Sequence, residues 1–239
     1  MNPIIVALDV DSPAKALALA AELRGAVGAV KVGSQLFTAA GPDIVRQLAE
    51  RGHRVFLDLK YHDIPNTVAG AATEAARLGA WIFDVHASGG YDMMKAAKDA
   101  AMGSAEKAGV TAPLVIAITV LTSFTPDALT SIGVTRAVLE QVDALSWLAQ
   151  TAGLDGVVAS PHEVRHLRKV RGEDFVLVTP GIRAIEPGGA GRPRDDQART
   201  MSALDAIGAG ASYIVVGRPI IEAPDPRAAA EALARTLSS

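Results

Sequence analysis

A carboxylate and an ammonium two residues apart are the first sign of chemistry in this chain. In Val55-Phe56-Leu57-Asp58-Leu59-Lys60, the two-residue period of a strand puts Phe56, Asp58 and Lys60 on one face and Val55, Leu57 and Leu59 on the other. Asp63 follows three residues later, in a loop. Two further aliphatic runs carry charges of the same kind: Ala7-Leu8-Asp9 ends one, and Lys31 is embedded in Val30-Lys31-Val32-Gly33. Taking so many charges out of water is costly unless they pair. Paired in alternation, they would hold Lys60 protonated and able to give a proton to a reacting atom. A single strand-end aspartate is as readily half of a structural salt bridge; the gathering of Asp9, Lys31, Asp58, Lys60 and Asp63 favours a reactive site.

A second constellation suits phosphate. Ile214-Val215-Val216-Gly217-Arg218-Pro219 ends an aliphatic run in Gly-Arg, and Thr179-Pro180-Gly181-Ile182-Arg183 ends another with a second arginine. Glycine lets a backbone N–H come close to an anion, and arginine offers a two-pronged donor. Either arginine alone could be a surface charge; the two together favour phosphate binding.

These groups need elements to position them. Eight aliphatic runs recur in order: Ile4–Asp9, Ala29–Gly33, Val55–Lys60, Trp81–Ala87, Leu114–Thr119, Gly156–Ser160, Phe175–Thr179 and Tyr213–Gly217. Helix-like segments lie between them. Ser12-Pro13 and Ser160-Pro161 read as N-caps followed by proline at the first helical position. Gly52, Gly79, Gly109, Gly153 and Gly172 stand where helices should end. Alternating β and α units predict a parallel sheet. Eight units in 239 residues predict an α/β fold, a (β/α)8 TIM barrel forming a single domain over residues 1–239, with an open sheet as the alternative. In such a barrel, C-terminal strand ends line the active site, and the loops after strands seven and eight often bind phosphate. The irregular stretch from Arg183 to Gln197 follows the seventh strand and is a candidate lid.

Composition narrows the partners. Hydrophobic residues make up 49% of the chain and aromatics 4%, which suits aliphatic strands buried under helices. The formal net charge is −3, without the basic stripe a nucleic-acid partner would favour. There is no cysteine, so disulfides and thiolate-bound metals are excluded, in keeping with a reducing compartment. No run approaches the roughly 20 apolar residues of a membrane span, and the N-terminus lacks the basic region of a signal peptide. A cytoplasmic protein without a membrane partner is expected.

The decapeptide Asp58-Leu59-Lys60-Tyr61-His62-Asp63-Ile64-Pro65-Asn66-Thr67 resembles the signature of the orotidine 5′-monophosphate decarboxylase family. Its D-x-K-x-x-D core is shared with sister decarboxylases and aldolases of sugar phosphates; the Ile-Pro-Asn-Thr tail is more specific. The resemblance spans the chain through Ala7-Leu8-Asp9, Lys31-Val32-Gly33, Val85-His86-Ala87, Leu121-Thr122-Ser123, Thr179-Pro180-Gly181-Ile182-Arg183 and Val215-Val216-Gly217-Arg218. It implies conversion of orotidine 5′-monophosphate to UMP and CO2, with no cofactor and no metal, by a homodimer with shared sites. Position by position, Lys60 is similar to the proton donor to C6, and Asp58 to the carboxylate set against the substrate's own. Asp9 with Lys31 matches the ribose-binding residues. Asp63 and Thr67 match residues that reach into the neighbouring subunit's site. Thr122 and Ser123 match the pyrimidine contacts, and Arg183, Gln197, Gly217 and Arg218 the phosphate-binding set. The sequence departs from the pattern in a longer stretch before Gln197, and in Asp84, where many members carry Asn.

Other signals point elsewhere with less force. Asp84 and His86 end the fourth run and could ligate a metal, but no third ligand accompanies them, so a supporting role for His86 is expected. Gly208-Ala209-Gly210 precedes a strand and is no dinucleotide fingerprint. Met93, Met94 and Trp147 are expected in core or interface, and His53 and His166 at the surface. Two alternatives remain open at this point. One is a metal-dependent 3-keto-gulonate phosphate decarboxylase or hexulose-phosphate synthase, whose pattern would carry Gly-Gly in place of Ile-Pro-Asn. The other is a catalytically inactive barrel that binds nucleotide.

Overall fold

The computed structural model describes residues 2–183 and 201–237. The expected alternation is present. In chain order come β1 (Ile4–Ala7), α1 (Pro13–Glu22), β2 (Ala29–Gly33), α2 (Ser34–Ala40), α3 (Asp43–Glu50), β3 (Val55–Tyr61), α4 (Pro65–Arg77), β4 (Ile82–His86) and α5 (Tyr91–Ala108). There follow β5 (Leu114–Ile118), α6 (Pro126–Ser131), α7 (Val138–Thr151), β6 (Gly156–Val158), α8 (Pro161–Arg171), β7 (Val176–Thr179), β8 (Ile182–Arg183) and β9 (Met201–Ser202). The chain ends with α9 (Ala203–Gly208), β10 (Tyr213–Val216), α10 (Arg218–Ile221) and α11 (Pro226–Thr236).

Eight strands pair in parallel and close in the order β1-β10-β7-β6-β5-β4-β3-β2, so the barrel leaves no open edge. The protein is a single-domain (β/α)8 barrel. Closure between β1 and β10 is carried by Ile4, Ile5 and Val6 opposite Ile214, Val215 and Val216. The short strands β8 and β9 form a separate parallel pair, Ile182 to Met201 and Arg183 to Ser202, which no sequence pattern indicated. The candidate lid, 184–196, lies outside the described residues.

Helix stops follow the expected glycines: Gly52, Gly79, Gly109, Gly153 and Gly172 all have positive φ, which glycine adopts without a Cβ penalty. Ser160 caps α8 by accepting the His162 N–H. Ser12 occupies the N-cap of α1 with Pro13 after it, yet its side chain makes no capping bond; there the fixed φ of proline is the operative signal.

Two apolar layers follow from the strand period. Outward residues such as Val6, Val30, Leu57 and Phe83 pack under the helices in one continuous core. Inward residues Ile5, Ala29, Phe56, Ile82, Ile116 and Val178 plug the barrel interior. Two residues further along the same inward faces stand Lys31 after Ala29, Asp58 after Phe56 and Asp84 after Ile82. The interior therefore changes from apolar to charged toward the C-terminal ends of the strands, and all three of these side chains are almost wholly buried.

Candidate active site

Asp58 is the centre of this charged layer. Its Oδ2 lies 3.1 Å from the Lys31 Nζ, and its Oδ1 accepts a hydrogen bond from the Lys60 Nζ. Lys31 also approaches Asp9 Oδ1, at 3.4 Å. Burial alone would raise the Asp58 carboxyl; the Lys31 and Lys60 ammoniums, with the hydrogen bond from Lys60, outweigh it and hold it well below the usual carboxylate range. Burial opposes the Lys31 charge, but Asp58 and Asp9 more than restore it, and the ammonium is raised above its ordinary value. The side chains of Asp58 and Lys31 are 12% and 11% exposed, whereas that of Lys60 is 37% exposed. Lys60 is thus the ammonium that an incoming ligand meets.

The backbone at Lys60 departs from simple strand alternation. Its φ is +53°, and the β3–β4 register shifts between Leu57 and Tyr61. A left-handed backbone at a residue with a Cβ costs on the order of 1–3 kcal/mol and persists only where surrounding contacts impose it. Here the Lys60 N–H donates to Asp84 Oδ1 at 2.8 Å. Asp84 is completely buried; burial and the Asp58 charge raise its carboxyl well above the ordinary value. The sequence shows an acid at Asp84, but this contact with the neighbouring strand is not legible in it. A charged type at a wholly inward strand position was the available signal.

Glycines keep the mouth open. A Cβ at Gly33 would stand 3.0 Å from the Lys31 Nζ and 3.4 Å from Asp9 Oδ1. A Cβ at Gly217 would reach within 3.8 Å of Asp9 Oδ2. The Gly217-Arg218 turn after the last barrel strand therefore borders Asp9 and, through it, the Lys31–Asp58–Lys60 cluster. Arg218 is exposed at the start of α10.

Asp63 does not join the cluster of its own chain. It is exposed, and its Oδ1 accepts the Ile64 N–H at 2.6 Å, so it serves the turn that leads into α4. The paired array consists of Asp9, Lys31, Asp58 and Lys60. Thr67 is exposed on the first turn of α4, beside Ile64 at 65% exposure. Thr122 is half-buried and Ser123 exposed on the turn after β5. Arg183 ends β8; its side chain and Gln197 lie outside the described residues. His86 stacks near His62, ring centroids 5.2 Å apart, and burial, then His62 and Lys60, lower its pKa. His53 and His166, expected at the surface, are half-buried. Burial and two nearby arginines lower the His53 pKa, and His166 reaches Asp143 at 3.2 Å. Met93 and Met94 are in the core. No helix among the described residues is long and apolar enough to cross a membrane.

A closed parallel barrel with an ion-paired cluster at the C-terminal ends of its strands has the architecture of a (β/α)8-barrel enzyme. Residues 2–233 match the Orotidine 5'-phosphate decarboxylase / HUMPS family. The chain is 52% identical over 234 residues to an orotidine 5'-phosphate decarboxylase of Moorella thermoacetica, covering 98% of this chain and 91% of that one. It is also 52% identical over 225 residues to one of Haemophilus influenzae, covering 94% of each. Among solved structures, an orotidine 5'-phosphate decarboxylase of Lactobacillus acidophilus superposes with a TM-score of 0.87 at 40% identity, over 100% of both chains. The chain belongs to the orotidine 5'-phosphate decarboxylase family.

Proposed function

We propose that this chain, as one catalytic domain over residues 1–239, converts orotidine 5′-monophosphate to UMP and CO2 in the cytoplasm, the last step of UMP biosynthesis, without a cofactor. It is a carboxy-lyase. The observation that carries the mechanism is the Asp58 carboxylate held between two ammoniums, Lys31 and Lys60, at the barrel mouth.

Breaking the bond from C6 of the pyrimidine to its carboxylate leaves an electron pair on C6. The Lys60 ammonium stabilises that charge and then gives C6 a proton. Neutral Lys60 regains its proton from solvent. Asp58, anionic between its partners, faces the departing carboxylate and keeps the Lys60 ammonium aligned. Asp9 and Lys31 bind the ribose hydroxyls. Thr122 and Ser123 contact the pyrimidine. Gly217 and Arg218, with Arg183 and Gln197, hold the phosphate, and their grip on a group remote from C6 uses binding energy to organise the reacting end. The adjacency of Gly217 to Asp9 supports this order of phosphate, ribose and base along the mouth. The active form is a homodimer in which Asp63 and Thr67 complete the partner's site; their exposure beside Ile64 supports a covered role for this face.

The test is turnover of orotidine 5′-monophosphate in EDTA, by wild type and by Lys60→Ala. Metal-free conversion by wild type that is lost in a folded Lys60→Ala protein is expected. Comparable turnover by that variant overturns the role of Lys60. Absence of both turnover of orotidine 5′-monophosphate and binding of UMP moves the assignment to metal-dependent sugar-phosphate chemistry. Tight UMP binding with no turnover under any condition makes the barrel a binding protein. Mixing Asp63→Ala and Lys60→Ala chains tests the shared site: activity regained in the mixture supports it, and none regained overturns it.

A further inference from the structure

Asp84 has one oxygen that is accounted for and one that is not. Its Oδ1 accepts the Lys60 N–H at 2.8 Å. Its Oδ2 is buried, and among the described residues no N–H or O–H reaches it. What stands across β3–β4 from it is the Asp58 carboxyl: Phe56 pairs with Ile82, and Asp58 and Asp84 each lie two residues further along the same inward faces, where each acts on the other's charge. Two ionised carboxylates cannot bond to each other; the contact becomes favourable when one of them carries a proton. Asp58 has two ammoniums to hold its charge. Asp84 is completely buried, and its register partner on β5 is the apolar Ile116. Among the described residues, the charged or titratable groups facing it are Asp58, Lys60 and Tyr61, all of β3. The single proton of the pair therefore belongs on Asp84.

We propose that Asp84 is a positioning residue that works as a neutral acid: its hydroxyl donates to the Asp58 carboxylate while its Oδ1 holds the left-handed backbone of Lys60 through the N–H. One side chain on β4 then fixes both members of the proton-donating pair on β3, at the place where the β3–β4 register shifts. The same assignment explains why an acidic residue is tolerated at a wholly buried inward position. The upward shift of the Asp84 carboxyl, caused first by burial and then by the Asp58 charge, agrees with it. This inference rests on Lys60 and Asp58 being the reacting pair, but its protonation half can be tested without substrate.

Asparagine reproduces a neutral aspartic acid at this site, since its amide oxygen can accept the Lys60 N–H and its amide N–H can donate to Asp58. Asp84→Asn is expected to keep kcat within about threefold. Asp84→Ala removes both bonds and is expected to lower kcat by about 30-fold or more while KM changes less, because the pair is misplaced for the transition state. The substrate-free measurement is melting temperature against pH. The folded protein keeps a proton on Asp84 that the unfolded chain releases above about pH 4. Wild type therefore loses stability relative to Asp84→Asn as pH rises from about 4 toward neutrality, and the gap closes again in acid. The infrared carbonyl band of a protonated carboxyl should be present in wild type at neutral pH and missing in Asp84→Asn. A band absent from wild type, a melting gap that does not grow between pH 4 and 7, or an Asn variant as inactive as Ala would overturn the proposal. If Asp84→Ala does not fold, the Asn series and the infrared band decide alone. Failure of wild type to decarboxylate orotidine 5′-monophosphate would instead overturn the proposed function and leave these two readouts standing.

Discussion

Asp58 and Asp155 are both aspartates with lysine partners, at opposite ends of the same barrel, and their surroundings differ in kind. Asp155 precedes β6 at the N-terminal end. Its two oxygens accept from the Lys98 Nζ at 2.7 and 2.6 Å, and Oδ2 also accepts the Val115 N–H at 2.7 Å. One carboxylate, one ammonium and one backbone donor make a closed set that ties α5 to the start of β5 and β6. Asp58 at the C-terminal end sits instead between two ammoniums, with a third ion pair from Lys31 to Asp9 and a buried acid behind it. One of those ammoniums, Lys60, is partly open to solvent. Charges closed upon themselves serve the fold; charges left with donor capacity at an open mouth are available to a ligand.

Substitutions can break that comparison. The largest expected effect is Lys60→Ala, which should lower kcat by at least about 10³-fold, since charge stabilisation and proton delivery at C6 are lost together. Its melting temperature should stay close to wild type, because Lys60 is the more exposed of the two lysines in the cluster. The mirror experiment is Asp155→Ala. It leaves Lys98 and the Val115 N–H without their acceptor and should cost about 2–4 kcal/mol in denaturant unfolding, with kcat unchanged. A variant at either site that behaved like the other would erase the distinction between the two ends.

Acid sharpens it. The Asp58 carboxyl is held well below its ordinary value, so the stability it contributes is complete above about pH 4, the value for an unfolded aspartate, and is lost as pH falls through the folded-state value. Asp58→Asn should flatten this acid limb in melting temperature measured against pH, and should also abolish most turnover. The smallest effect belongs to Gly33→Ala. The new Cβ would crowd the Lys31 Nζ, the far end of a flexible side chain that can shift, so stability should change by less than about 1 kcal/mol. Displacement of Lys31 from Asp9 should appear as a several-fold rise in KM with little change in kcat, read from steady-state kinetics.

Much of this was legible in the chain. The period of two put Asp58 and Lys60 on one strand face, opposite Val55, Leu57 and Leu59, and proline and glycine punctuation marked where helices begin and end. The family signature at Asp58–Thr67 pointed to the family to which the chain belongs. What was not legible is instructive. Strand alternation would have given Lys60 an ordinary extended backbone, yet its φ is positive because a contact from β4 competes with the β3 pattern. Asp63 carries the same charge type as Asp58 five residues on, but within its own chain it accepts a neighbouring N–H and stays outside the cluster. Type and spacing alone do not separate a residue that caps its neighbour from one that pairs across strands.

By itself, the sequence determined the order of eight strands and their helices, the inward placement of the charges and the family. The first two depend on local periodicity and on backbone preferences that act within a few residues; the family follows from the resemblance carried by Asp58–Thr67. Tertiary structure decided how the barrel closes through β1 and β10, that Gly33 and Gly217 face Asp9, that Lys98 and Asp155 close on each other, and that Asp84 lies buried behind Lys60 and Asp58. Those are relations between strands far apart in the chain. They also set the charge states, because desolvation and partner charges follow from three-dimensional neighbours.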